Sequence, residues 1–458
     1  DGLALMAGMK DIWDPRRVLN PGVVVDPPPL DADIRHQAPL QRKPLTLFAY
    51  PDDHGDFAQA QRRCVGIGKC RQTSGGVMCP SYQATREEQH STRGRAHLLW
   101  EMLQGDVVTD GWRSTEVRDA LDLCLSCKGC LSDCPVNVDM ATYKAEFTHH
   151  HYQGRPWARP LSHWSMGWLP LWSRVAAKAP KLANRLARGP LVKRLGGIAE
   201  EREIPPFADQ TFTSWFAARP VTPGPNGKVL LWPDSFTNHL APQVGQAAVA
   251  VLEAAGHQVV LPERPVCCGL TWISTGQLNA AKKRLTTSLT RLAPHLDAGT
   301  PIVGLEPSCT AVLRRDAHEL LPDDPRAHQA AESTHTFAEF VLASGWQPPQ
   351  LDAKALVQTH CHQHAVLGFD ADRTLMAKAG IAADIPDSGC CGLAGNFGFE
   401  RGHYKVSQQV GERVLLPTVR DAAPDTEVVA DGFSCRTQIA QGTERRALHL
   451  AELLARGL

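Results

Sequence analysis

The sequence has no uninterrupted apolar run near the roughly 18 residues that cross a bilayer, so no helical span is expected. It has no excess of either charge: Lys+Arg and Asp+Glu are both 48 in 458 residues, a balance that argues against nucleic acid as a partner. The opening DGLALMAGMK has neither an initiator Met nor a leader pattern, and it reads as the middle of something longer. Cysteine, at 14 residues, is too sparse for a small disulfide scaffold. What remains is ample material for folding. Hydrophobic residues make up 43% and charged residues 21%, enough for substantial cores, and the length suggests about three domains.

The cysteines are few but grouped: CVGIGKC, MCP, CLSCKGCLSDCP, CCG twice, and three singles. Vicinal and CxxC thiols without a secretory signal point to metal ligation in a reducing, cytoplasmic compartment. Cys124-x2-Cys127-x2-Cys130-x3-Cys134-Pro135 keeps every spacing of the bacterial iron–sulfur run. Its short loops let three thiolates wrap one 4Fe-4S cluster, while the fourth, before Pro, points to a neighbouring cluster. Zinc usually takes well-separated CxxC pairs instead. A second, degenerate run follows the same rhythm with Cys64, Ile67 and Cys70, then Cys79-Pro80. Exchanging the last cysteines gives one cluster on Cys124, Cys127, Cys130 and Cys79. The other has Cys64, Cys70 and Cys134, hence a 4Fe-4S cluster with an unidentified fourth ligand, or a 3Fe-4S cluster. The stretch from Cys79 to Cys124 is too long for a compact ferredoxin hairpin. An α-helical ferredoxin domain is expected over 58–151, with helices over Thr85–Leu103, in EVRDALDLC and after Cys134-Pro135. His149, His150 and His151 read as a solvated helix end.

Residues 152–226 form a basic, Trp-rich connector. Between Phe147 and Ala199 there is no Asp or Glu, but nine Lys/Arg and Trp157, Trp164, Trp168 and Trp172. Such a stretch suits either an interfacial membrane helix or tryptophans packed between domains. An internal repeat follows. Residues 227–345 run from GKVLLWPDSFTNH through Cys267-Cys268-Gly269 to Cys309, and residues 353–458 run from AKALVQTHCHQH through Cys390-Cys391-Gly392 to Cys435. Each half alternates strand and helix, which predicts a parallel α/β sheet with its cysteines at the carboxyl edge. The fold class expected is thus an α-helical ferredoxin domain followed by a two-repeat α/β domain.

Repeat two offers Cys361, Cys390, Cys391 and Cys435 for a further cluster or zinc. Repeat one offers Cys267, Cys268 and Cys309, with Asn238 where repeat two has Cys361. Adjacent cysteines are strained disulfide partners. They suit a multi-iron cluster, a reactive dithiol, or simply a tight turn in which the glycine supplies positive φ. The row His360, Cys361, His362, His364 also admits zinc.

CLSCKGCLSDCP followed by two CCG repeats resembles the iron–sulfur subunits of glycolate oxidase and anaerobic glycerol-3-phosphate dehydrogenase. The repeats themselves resemble the CCG repeats of heterodisulfide reductase. More closely, CVGIGKCR, GGVMCPSYQATREEQHSTRGRA and CPVNVDMATYKAEF resemble the C-terminal half of fused FAD-linked dehydrogenases. DPRRVLNPG resembles the close of a FAD-linked oxidase C-terminal domain, which assigns residues 1–25 to that end and 26–57 to a Pro/Asp-rich linker. The resemblance implies oxidation of a D-2-hydroxyacid such as D-lactate, glycolate or D-2-hydroxyglutarate. FAD in a portion outside this chain, fused or separate, would take the hydride. Electrons would then pass singly through the clusters to a quinone or cytochrome-type acceptor, and peripheral contact with the inner face of the membrane is compatible. No catalytic base can be named. Two rivals stand beside this reading: thiol–disulfide chemistry at the CCG sites, and a metal-stabilised docking scaffold for a separate flavoprotein. Glu306 and Gly432 stand where heterodisulfide reductase has the first Cys of a closing CxxC, so its noncubane cluster is not matched.

Overall fold

The computed structural model describes residues 1–30, 32 and 44–458. Part of the expected 26–57 linker, residues 31 and 33–43, lies outside the described residues. The chain divides into Asp1–Arg42 and Lys43–Leu458. In the first, a helix Gly2–Trp13 starts where the Asp1 carboxylate accepts from Leu3 N, and it ends at Asp14, which accepts from Val18 N and Leu19 N. Its Leu5, Met9, Ile12 and Trp13 are exposed.

In the second unit, the thiol-rich section is helical. Pro80–Thr85 begins directly after Cys79, and Thr92–Gln104 is capped by Ser91 Oγ, which accepts from Gly94 N at 2.9 Å. Thr115–Asp122, Gly129–Asp133 and Met140–Tyr152 follow. Two boundaries differ from the sequence reading. The helix expected from Thr85 starts at Thr92, because Arg86 turns left-handed and a 3-10 turn intervenes at Glu88–His90. The helix expected after Cys134-Pro135 starts at Met140. Asn137 is left-handed there, and the cap is Asp139, accepting from Thr142 N at 3.1 Å.

The remainder carries two parallel sheets. The first has β1 Lys228–Leu231, β2 Gln258–Val260, β3 Ile302–Gly304 and β4 Thr334–Thr336, in the order β2-β1-β3-β4. The second has β5 Lys354–Val357, β6 Ala382–Asp384 and β7 Glu427–Val429, in the order β6-β5-β7. Every pairing is parallel. The order second–first–third is common to both, and the first sheet adds β4 at its edge. Val229, Leu231 and Val303 share one core with Val357, Val429 and Leu453, so the sheets pack as one body.

The connector folds into short helices, Leu161–Ser165, Leu169–Ala176, Pro180–Ala187 and Pro190–Leu195. The tryptophan stripe is broken at Gly167, where a Cβ would lie 2.3 Å from His163 O. Trp168 turns inward. Its ring meets Trp272 edge-on at 6.0 Å and its Nε1 donates to Gln277 Oε1 at 2.8 Å. Trp157 and Trp172 remain exposed. Arginines staple the connector down: Arg159 donates to Thr275 O and Gly276 O, and Arg202 to Gly398 O and Ser407 Oγ.

A core that begins at Phe48 and takes in Tyr143 and Phe147 continues into the Leu278–Asp297 helix. That helix buries Leu285, Leu289, Leu292 and Leu296 at helical spacing. Because this face joins the thiol section to the first sheet, Leu289→Ala is expected to cost roughly 2–5 kcal/mol, read as a lower urea midpoint. A midpoint equal to wild type would contradict the shared core.

Candidate metal centres

The Cys124–Cys130 loop winds tightly because Ser126 and Lys128 both adopt left-handed backbone, at φ 53 and 57. The Gly129–Asp133 turn then carries Cys130, and Cys134 ends it. Cys79 arrives from a separate segment. Gly129 permits the approach, since a Cβ there would sit 2.5 Å from Val77 Cγ1. Asp133 completes the joint by accepting from Val77 N at 2.8 Å and Met78 N at 2.9 Å.

Cys79, Cys124, Cys127 and Cys130 are all buried and in no disulfide. Burial, then the charge of Asp139 and the nearby Cys124 and Cys79, push the Cys130 thiol well up. Cys64, Cys70 and Cys134 form the other set. Cys64 is raised by burial and by Cys134, and Cys70 by burial and by Cys79 and Cys64. Arg93 N donates to Cys70 Sγ at 3.3 Å. Ile67 is 60% exposed and offers no ligand atom.

The donor set suits an anionic iron–sulfur cluster for a physical reason. Arg95 is 1% exposed, and its guanidinium donates to Cys79 Sγ (3.4 Å), Ser81 Oγ (2.9 Å) and Ala120 O (2.7 Å). Those partners include no carboxylate. A buried cation needs a compensating anion, and a metal-bound Cys79 thiolate would supply it here. Nothing in STRGRAH marks Arg95 as such a residue.

Lys128 lies between two of these cysteines and points elsewhere. Its Nζ reaches Asp139 Oδ2 at 2.8 Å and Asp316 Oδ1 at 2.9 Å, and all three residues are buried. Burial alone would lower Lys128, but Asp139 and Asp316 more than offset it and hold the amine up. Asp316 belongs to the first sheet's section, so sequence spacing holds no hint of the pair.

Beyond β5, the thiols of the second sheet meet at its carboxyl edge. Cys361, Cys390, Cys391 and Cys435 are buried and within electrostatic reach of one another. The Cys390 thiol pulls Cys361 down to about 7 against burial, and Cys390 with Cys435 pulls Cys391 well below its ordinary value. Ligand atoms of His360, Cys361 and His362 lie within 4.8 Å of one another. His364 does not join them: its Nε2 goes to Asp133 Oδ1 at 2.6 Å. Gly432 is explained by His360, whose Cδ2 would be 2.2 Å from a Cβ there. Glu306 accepts from Phe433 N at 2.7 Å, so the two positions that depart from the CxxC pattern face each other.

The first sheet holds fewer thiols. Cys268 Sγ lies 3.1 Å from Cys309 Sγ. Although Cys268 lowers it, burial with Asp234 and Glu306 drives Cys309 up to about 12. Asn238 is engaged elsewhere, accepting from Thr213 N at 3.0 Å. Both CCG glycines are left-handed, Gly269 at φ 82 and Gly392 at φ 89, as the tight-turn reading requires.

Cys127 is also within the electrostatic reach of Cys361, and both belong to one apolar cluster with Val77, Leu125, Cys390 and Phe397. His149 and His151 are buried, which corrects their reading as a solvated helix end; the Met140–Tyr152 helix packs inside the unit.

Two family descriptions match: 4Fe-4S dicluster domain over residues 60–138, and CCG, cysteine-rich domain, over 234–314. Among curated proteins, the chain is 27% identical to D-2-hydroxyglutarate dehydrogenase of Pseudomonas putida, covering 97% of this chain and 48% of that protein. It is 23% identical to the glycolate oxidase iron-sulfur subunit of Escherichia coli, covering 87% and 94%. It is 30% identical to lactate utilization protein A of Bacillus velezensis, over 50% of this chain and 98% of that protein. The chain spans about half the length of the D-2-hydroxyglutarate dehydrogenases it matches.

Replacing the buried amine tests its place in this arrangement. Lys128→Met would leave Asp139 and Asp316 as uncompensated buried carboxylates, and a loss of about 3–5 kcal/mol is expected in urea unfolding. An unchanged midpoint would remove Lys128 from the account.

Proposed function

The chain belongs to the family of lactate utilization protein A and has the make-up of an iron–sulfur, CCG-containing dehydrogenase component, and from that premise we propose that it is the electron-transfer portion of a FAD-linked D-2-hydroxyacid dehydrogenase. The observation that carries this is that Cys79, Cys124, Cys127 and Cys130 are buried within electrostatic reach of one another, with the buried Arg95 donating to Cys79 and with Cys127 in one cluster with Cys361. Cys64, Cys70 and Cys134 would hold the second cluster. Iron–sulfur clusters take and give single electrons, which suits the two-electron output of a flavin. Around them, Arg95 balances charge and the buried walls exclude water. The acceptor in this reading is a quinone or cytochrome-type carrier.

The two sheet units are best read as repeats of one fold, on the strength of their common strand order and their paired CCG turns. Its fourth thiol, Cys361, with the ligand atoms of His360 and His362 within 4.8 Å, makes the second unit the stronger candidate for a further centre. The same thiols support thiol–disulfide chemistry as a second reading; Cys390→Ser would then abolish disulfide reduction while leaving the ferredoxin signals intact. A flavin portion, fused or separate, would cover the apolar residues exposed on Gly2–Trp13. Among the described residues no helix is long and apolar enough to cross a membrane; peripheral contact would fall to the basic connector.

Iron, acid-labile sulfide and zinc per chain, measured on anaerobically prepared protein, test the reading. About seven or eight irons without zinc are expected for two ferredoxin-type clusters, and clearly more would put a third centre on Cys361, Cys390, Cys391 and Cys435. Little iron with zinc would overturn electron transfer. The chain alone should not oxidise D-lactate, and turnover without added flavoprotein would contradict the assignment.

A further inference from the structure

Arg202 is 1% exposed and reaches the second sheet's section from the connector. The segment that delivers it is clasped backbone to backbone. Ala199 N donates to Phe399 O at 2.8 Å, and Arg401 N donates to Gly197 O at 3.0 Å. The guanidinium then bonds to three different segments: Nε donates to Gly398 O at 2.8 Å, Nη2 to Ser407 Oγ at 2.7 Å and Nη1 to Gln441 Oε1 at 3.2 Å. The ring faces of Tyr404 and Phe399 lie 5.0 Å and 5.9 Å from it.

Each of those segments wraps the second group of thiols. Gly398 closes the loop that follows Cys390-Cys391-Gly392, its N donating to Leu393 O at 2.8 Å. Ser407 lies on the Tyr404–Gly411 helix, which presses on the turn so closely that a Cβ at Gly392 would sit 2.2 Å from Ser407 O. Gln441 shares the Phe433–Gly442 helix with Cys435. Phe399 packs against the apolar cluster that contains Cys391 and Cys435. The charge is what these contacts leave unanswered. None of the three acceptors is a carboxylate, and the neighbouring acids in the chain, Glu201 and Glu203, are exposed. Neutral oxygens and ring faces soften the burial of a cation without neutralising it. Burial lowers the Arg202 guanidinium, and Tyr404 and then Cys391 oppose that.

We propose that Arg202 is the counter-cation of an iron–sulfur centre on Cys361, Cys390, Cys391 and Cys435, and that its charge holds the reduction potential of that centre up. This role rests on the electron-transfer reading and adds a residue to it. Each electron that such a centre accepts adds one negative charge, and a fixed buried cation beside it favours the reduced form. Arg202 offers no ligand atom. It is a positioning residue, acting through its field and through the three segments it ties around the thiols.

The test uses the full chain loaded anaerobically with iron and sulfide. Iron and zinc per chain are counted, and the midpoint of each centre is taken from a dithionite titration followed by EPR. Wild type is expected to hold clearly more than the about eight irons of two ferredoxin-type clusters, and to show a third midpoint. Arg202→Met and Arg202→Gln remove the charge. Each should lower the third midpoint by about 59 mV or more, a tenfold change in a one-electron equilibrium, or lose the iron of that centre alone, with the other two midpoints unmoved. Arg202→Lys keeps a charge and should retain the centre at a midpoint nearer wild type. Ser407→Ala removes one bond and keeps the cation, so the third midpoint should stay. About seven or eight irons in wild type would overturn the role and leave the two-cluster relay standing. A third midpoint unmoved in Arg202→Met and Arg202→Gln would overturn it, as would one lowered equally in Arg202→Lys or Ser407→Ala. Failure of dithionite to reduce any centre would defeat the relay, and this role with it.

Discussion

Within Lys43–Leu458, the sections are tied together at one meeting, that of Cys79 with the Cys124–Cys130 loop. Two segments more than forty residues apart must touch backbone to side chain, and Gly129 and Asp133 make that contact. The same short stretch then anchors both sheets. Lys128 reaches Asp316 beside the first sheet, and Asp133 reaches His364 beside the second. The loop that would hold a cluster is thus also the keystone between sections, and loss of the metal would be felt in the packing of all three.

Cation placement follows from the same constraint. A buried thiolate cluster carries negative charge, and the protein answers with Arg95 and with peptide N–H groups such as that of Arg93. The two CCG turns differ in this respect. In the second, the neighbouring thiols pull Cys361 and Cys391 below the ordinary cysteine range while Cys390 and Cys435 are pushed up. In the first, Asp234 and Glu306 help drive Cys309 up to about 12, which keeps a neutral thiol. Similar backbone turns therefore sit in different electrostatic surroundings, set by which charges are buried nearby.

The cysteine spacing makes the thiol groupings legible, and strand–helix alternation makes the parallel sheets legible, because both are local patterns. The helix starts at Thr92 and Met140 lie several residues beyond where the pattern puts them, since left-handed Arg86 and Asn137 leave no strong signature in composition. The tryptophan stripe is half legible. Trp168 is an inward anchor and Trp172 an exposed one, and Gly167 makes the difference. Arg95, Asp316 and the His403–Asp122 pair are invisible to the sequence because their partners lie in distant segments and obey no spacing rule.

The crossing of terminal cysteines between the two sets is the central claim, and EPR of the fully reduced chain addresses it most directly. Two reduced clusters with mutually broadened spectra are predicted, and Cys79→Ser should perturb the centre that also responds to Cys124→Ser. A single isolated spectrum, or a Cys79→Ser change confined to the centre that responds to Cys64→Ser, would contradict the arrangement.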